Sequence, residues 1–173
     1  MSHRRDHYER AFEDYLRARG WPYVAVDEAR RKAFASVALK NFDYVVYSAG
    51  GANLLVDVKG RKFPNGPAGR RRRSGRAFEN WITRDDMEGL RRWETIFGDG
   101  FRAVLVFAYW LQGPPSSSPM DEVHVFQGRH YVFAAIGLDR YVAAARPRSA
   151  RWGTLTMPAA QFRSAICDVA ALL

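Results

Sequence analysis

The stretch NLLVDVKGRK, Asn53 to Lys62, carries an aspartate and a lysine two residues apart inside an apolar run. Side chains alternate faces along a strand, so Asp57 and Lys59 point the same way. Leu54, Val56 and Val58 point the other way, into a core. Two charges on one face of a central strand are costly without partners. The plain structural reading is an ion pair that satisfies itself. Asp43, fourteen positions before Asp57 on a preceding strand, adds a second carboxylate. Two neighbouring carboxylates repel unless a proton or a cation lies between them. A hard divalent cation with oxygen ligands answers that repulsion. A lysine beside it would set a fixed positive charge where a phosphate or an attacking water sits. The chemistry suggested is metal-assisted hydrolysis of a phosphodiester.

Such a site needs strands held side by side. The segments FDYVVYS and LLVDVKG, joined by AGGAN, read as a β-hairpin that brings Asp43 towards Asp57. Before it, Tyr8, Phe12, Tyr15 and Leu16 recur at helical spacing, which predicts a helix over Arg5–Arg19 ended by Gly20. WPYVAV reads as a short strand, and residues 28–40 as a loop or short helix. After the hairpin, Phe63 to Arg76 reads as a mobile loop with Pro, Gly and four consecutive arginines. Thr83–Phe97 is a second amphipathic helix, with Met87, Leu90, Trp93 and Phe97 on one side and Thr83 as its N-cap. Asp85 and Asp86 suit the positive end of its dipole. FRAVLVFAYWL is a strand buried on both faces. QGPPSSSPMDE is a loop. EVHVF and HYVFAAI form another hairpin around Gln127-Gly128, Leu138–Ala145 a short helix, GTLTM a final strand and Pro158–Leu172 a closing helix. No internal repeat is visible. This order predicts an α/β fold: a central mixed sheet flanked by helices.

Composition limits the partners. The chain has 173 residues, a net charge of +9, 47% hydrophobic and 14% aromatic residues. That length suits one domain with a real core, here residues 1–173. The positive excess points to a polyanion, nucleic acid before an acidic membrane surface. Cys167 is the sole cysteine, which excludes an intramolecular disulfide and cysteine-based zinc sites. The four histidines show no HExxH pattern. The polar N-terminus has no signal-peptide character. The longest apolar run, Ala103 to Leu111, is too short to span a bilayer. The expectation is a soluble cytoplasmic protein with no membrane partner.

Asp43 followed by Asp57-Val58-Lys59 resembles the D-x-K variant of the PD-(D/E)XK nuclease signature. That superfamily places an acidic residue on a helix before the first strand, where HYERAFEDYLRARGW offers Glu9 and Glu13. The spacing from Glu9 to Gly20 and Trp21 is similar to the first helix of archaeal Holliday-junction resolvases and favours Glu9. TRDDMEGLRRW takes the place of their second helix. A glutamine often stands where this chain has Asp86, a departure that leaves the role of Asp86 open. The resemblance runs from about Tyr8 to Phe107, with no counterpart beyond Val123. It implies a restriction-endonuclease-like core over 5–111 and a C-terminal elaboration, with an extra hairpin and helix, over 120–173. The opening HYERAFE also resembles a bacterial group named for HYExAFE.

The resemblance further implies Mg²⁺ or Mn²⁺ held by Asp43, Asp57 and the Val58 carbonyl. Glu9 would complete the site directly or through water, and Lys59 would orient or activate the attacking water. Asp43 and Asp57 would then be ionised at neutral pH because of the metal and Lys59. DNA is favoured over RNA. Resolvases cut two strands symmetrically, so a homodimer is to be looked for. A binding module that keeps the fold without the chemistry is the alternative, as is an interaction protein whose basic loop meets a membrane or an acidic protein.

From Lys59 to Arg76 there are eight Lys/Arg and no acidic residue. Arg61, Lys62, Arg70, Arg71, Arg72, Arg73 and Arg76 are the expected phosphate contacts, because adjacent arginines repel until counter-charges relieve them. A solvated loop is the plainer reading. Glu13 reads as a surface charge before a second site acid. His7 and Tyr8 read as locally packed, His124 and His130 as structural. RPRSARW, Arg146 to Trp152, is a second basic-aromatic patch, although Trp152 reads more readily as core than as a base platform.

Overall fold

In a computed structural model, which describes residues 6–26, 40–64 and 78–173, two sheets and four α-helices form around two apolar cores. Helix α1 is His7–Ala18. Its repeat of Ala11, Phe12, Tyr15 and Leu16 buries one face, and Gly20 ends it with φ +67°, a conformation that glycine adopts without strain. Strands β1 (Tyr23–Ala25), β2 (Tyr44–Val46) and β3 (Asn53–Phe63) form an antiparallel meander. The predicted hairpin is present. Its second strand is longer than expected and runs to Phe63, whose ring is buried.

After the two-residue strand β4 (Ile82–Thr83), helix α2 (Arg84–Phe97) crosses to β5 (Phe101–Leu111). Thr83 caps α2 as expected. Its hydroxyl accepts the Asp86 N–H, and the Asp86 carboxylate accepts the Thr83 N–H, a reciprocal box. Strand β5 lies parallel to β3 over their full lengths, Asn53 opposite Phe101 through Phe63 opposite Leu111. A parallel pair needs such a helical crossover, and burial of both faces explains the unbroken apolar run of β5. Strands β6 (His124–Phe126) and β7 (Arg129–Gly137) complete a six-stranded mixed sheet of order β1-β2-β3-β5-β7-β6.

Helix α1 covers one face through Leu54, Val56, Val58, Val104 and Val106. The other face carries Leu55, Leu105 and Phe107 under α2, α3 (Leu138–Ala144) and α4 (Ala159–Ala165). A second sheet, order β4-β9-β8, joins Arg146–Ser149 (β8) and Thr154–Thr156 (β9) to β4. Its strand β9 lies within the expected GTLTM, while β4, β8 and their pairing were not anticipated, because strands so short carry too little alternation to read. The expected closing helix over Pro158–Leu172 is interrupted. Cys167 exchanges backbone hydrogen bonds with Ala135 at 3.0 and 2.9 Å, so α4 stops at Ala165 and a short 3₁₀ turn (Val169–Leu172) follows. The expectations for residues 28–39 and for the arginine run lie outside the described residues. Among the described residues no helix is long and apolar enough to cross a membrane.

Candidate active site

The two faces of β3 separate as their alternation requires. Val56 and Val58 pack under α1, while Asp57 and Lys59 face α2. Lys59 Nζ lies 2.9 Å from Asp57 Oδ2 and 3.2 Å from Asp86 Oδ1 on the first turn of α2. Asp57 and Asp86 are 5% and 6% exposed, so the lysine is clamped between two buried carboxylates. Tyr44 pairs with Val56 across β2 and β3, and Asp43 stands just before β2, where the charge of Asp57 acts on it. Asp43 is anchored there. Its N–H donates to Val56 O at 2.8 Å, and its Oδ2 accepts the Val58 N–H at 2.7 Å.

Of the two acids on α1, Glu9 is the one whose charge acts on Asp43. The Glu9 carbonyl accepts the Tyr44 hydroxyl at 2.9 Å, which ties this turn of α1 to β2 beside Asp43. Glu13 faces elsewhere. Its Oε1 accepts from Arg17 at 2.8 Å and from the Tyr23 hydroxyl at 3.0 Å, and its side chain is only 16% exposed. The turn around Glu9 is fixed by its neighbours. His7 Nδ1 is 2.9 Å from the Tyr131 hydroxyl. This partner is 124 residues away and adds to the expected local packing, in which the His7 and Tyr8 ring centroids lie 3.9 Å apart. The Tyr8 ring lies flat on Gly60, where an added Cβ would come within 2.2 Å of it. Ala11 and Phe12 are fully buried. Residues 7–12 thus seat α1 against β3 and leave Glu9 beside the carboxylate pair.

The electrostatics of the cluster have clear causes. Burial, then the charge of Asp57, raises Asp43 well above the ordinary carboxylate range, against the opposing Val58 N–H. Burial also raises Asp57, although Lys59 opposes it. Burial would lower Lys59, but Asp57 and Asp86 outweigh it and hold the ammonium charged above its ordinary value. Burial would raise Asp86 too, yet Lys59, Lys40 and the Thr83 donors bring it down to about 2. The cluster therefore has one carboxylate fully neutralised by lysines and two that burial and mutual repulsion disfavour as anions.

Two features were missed in the sequence. Lys40 Nζ lies 2.5 Å from Asp86 Oδ1. Its backbone is held against α2 by the Trp93 indole N–H, 3.1 Å from Lys40 O, and by Gly89, where a Cβ would meet that oxygen at 2.7 Å. The only available signal was a lysine three residues before Asp43. The other feature is Gly60, which follows the signature lysine and lets Tyr8 approach.

The oxygen donors suit a hard divalent cation. Asp57, buried, and Asp43, half-buried, offer carboxylate oxygens whose charged forms burial disfavours. Among the described residues no three His, Cys, Asp or Glu side chains are grouped to hold a metal. Mg²⁺ is commonly bound through one or two carboxylates with several waters retained, so this donor set fits it.

The expected phosphate contacts differ in setting. Arg61 is largely buried. Its guanidinium donates to Gly60 O and Trp81 O at 2.7 and 2.6 Å and stacks 4.2 Å from the Trp81 ring centroid. Lys62 points to the other face, 5.6 Å from the Trp110 ring centroid, with Arg129 at 4.5 Å from the same ring. Arg70, Arg71, Arg72, Arg73 and Arg76 lie outside the described residues. His124 Nε2 meets Asp14 Oδ2 at 2.8 Å, a structural pairing as expected. Trp152 is not core: it is 70% exposed.

No known family profile matches the chain, and no curated protein sequence matches it. Among solved structures it is similar to Hjc of Archaeoglobus fulgidus, a Holliday junction resolvase from an archaeal hyperthermophile. The TM-score is 0.56 at 14% identity, over 95% of each chain. The chain shares the fold of that resolvase. It is a restriction-endonuclease-like arrangement, a central mixed sheet flanked by helices. The likeness covers more than the stretch from about Tyr8 to Phe107 over which the sequence resembles resolvases.

Proposed function

We propose that this chain is a metal-dependent endonuclease of the PD-(D/E)XK type, related to the HYExAFE group, that hydrolyses phosphodiester bonds in DNA. The observation that carries the reading is the cluster of Asp43, just before β2, with Asp57 and Lys59 on β3, bordered by Asp86 and Glu9, on a fold shared with a resolvase. The 173 residues act as one domain in the cytoplasm.

Asp43, Asp57 and the Val58 carbonyl would hold Mg²⁺ or Mn²⁺, with Glu9 completing the set. When bound, the ion lowers the pKa of water and offsets charge on the phosphate. The Asp43 hydrogen bond to Val58 fixes the carboxylate before substrate arrives. Lys59, kept protonated by Asp57 and Asp86, acts as a positive charge towards the phosphate rather than as a base. It orients the attacking water and stabilises the extra negative charge of the pentacovalent transition state. The water oxygen bonds to phosphorus and releases its proton to solvent, the bond from phosphorus to the 3′ oxygen breaks, and that oxygen takes a proton from solvent to leave as a hydroxyl. The products carry 5′-phosphate and 3′-hydroxyl ends.

The test is incubation with labelled single-stranded, duplex and four-way-junction DNA, with Mg²⁺, Mn²⁺ or chelator. Cleavage only with a divalent ion supports the reading. Binding without cleavage under every condition replaces it with the inactive-module alternative.

A further inference from the structure

The hairpin of β8 and β9 carries Arg146, Arg148, Arg151 and Trp152, and residues 144–157 include no acidic side chain. A tryptophan 70% exposed contributes little to the core, while Leu155 and Met157 in the same segment are buried and anchor it. The tip is firmly placed. Gly153 turns it with φ +55°, and the Arg84 N–H donates to Gly153 O at 2.8 Å. Thr154 pairs with Thr83, the cap of α2, and Asp86 in that cap touches Lys59. Trp152 therefore sits beside the N-terminus of α2, on the element that carries the partner of the site lysine. The Arg151 guanidinium lies 5.2 Å from the Trp152 ring centroid. Arg148 lies 5.3 Å from the Trp81 ring centroid, the ring on which Arg61 also stacks.

We propose that Trp152, with Arg151, is a stacking platform for an unpaired base, so that the substrate carries single-stranded nucleotides next to the cleaved bond. This rests on the nuclease reading and adds the substrate class to it. Bases within a duplex are already stacked and expose no face to an aromatic ring unless a nucleotide is extruded. An exposed indole with an adjoining guanidinium matches an unstacked base and its phosphate.

The test measures binding in chelator, where no cleavage intrudes. Probes are labelled single-stranded DNA, single-stranded RNA, blunt duplex DNA of the same sequence and duplex with a single-stranded flap. Trp152→Ala should weaken binding to single strands and to the flap roughly 5- to 100-fold, yet change blunt-duplex binding by less than about twofold. Trp152→Phe should retain most of the affinity. Arg151→Ala should lower the salt slope for single strands by about 0.7. Relative loss on the DNA and RNA strands shows which sugar the platform accepts. Equal loss on duplex and single strand, or no loss on any probe, overturns the platform and leaves the nuclease reading intact. Failure of the wild-type protein to bind any probe overturns both.

Discussion

At the residue scale, the cluster divides between groups that stabilise the fold and groups that burden it. Asp86 belongs to the first. Its folded value of about 2 lies below the ordinary 3.8, so the unfolded chain binds the proton more tightly. The stability it contributes is fully present above about pH 4 and is lost as pH falls through about 2. Asp86→Asn should cost roughly 2 kcal/mol at neutral pH. Chemical denaturation from pH 7 to 2 should show the gap to wild type closing towards the acid end; a gap that persists at pH 2 would deny the ion pairs their role. Asp43 belongs to the second group, a half-buried carboxylate whose charged form burial and Asp57 disfavour. In chelator at pH 7, Asp43→Asn should be more stable than wild type by on the order of 1 kcal/mol, or about 2–4 °C. Divalent ion should raise the melting temperature of wild type and not of the variant. A less stable Asp43→Asn would show that the carboxylate is not under electrostatic strain. The types and spacing of Asp43, Asp57 and Lys59 were legible because strand alternation is local. The third partner was not: Asp86 was read as a departure and a helix-dipole charge, because its contact with Lys59 depends on how α2 docks across β3.

At the element scale, the contact of α1 with β3 decides where Glu9 stands. Gly60→Ala would drive a methyl group into the Tyr8 ring. Such overpacking costs about 1–3 kcal/mol and should displace the first turn of α1. Cleavage should fall with it, and Tyr8→Ala should cost less stability in the Gly60→Ala background than alone, which a double-mutant cycle measures. Additive effects would mean that the glycine matters for another reason. Long periodic segments were readable: α1, α2, β3 and β5 each present a repeating apolar face. The second sheet was not, since its strands are short and β4 pairs with β9 some seventy residues on. The closing helix was misjudged because its apolar residues suit a helix, yet a backbone bridge from Cys167 to Ala135 claims the middle of the segment. Trp152 was expected inside because tryptophan is usually well buried; nothing local shows that it lies at a turn between two short strands.

At the scale of the whole molecule, a net charge of +9 gathers towards a polyanion, and salt should reveal how. Replacing Arg70 to Arg73 with alanine should weaken nucleic-acid binding and lower the slope of log affinity against log salt by about 0.9 per phosphate contact on duplex, or roughly three units in all. Thermal stability should barely change, since the segment has almost no apolar side chains to bury. An unchanged slope with a lower melting temperature would make the run structural and shift attention to Arg146, Arg148 and Arg151. Beneath all of this is the claim that the β2–β3 cluster performs hydrolysis. It is tested most directly by comparing wild type with Asp57→Asn on four-way-junction, duplex and single-stranded DNA, following cleavage with Mg²⁺ or Mn²⁺ and binding in chelator. The variant should lose metal-dependent cleavage while its affinity for the same DNA stays close to wild type. Cleavage by Asp57→Asn at the wild-type rate would contradict it.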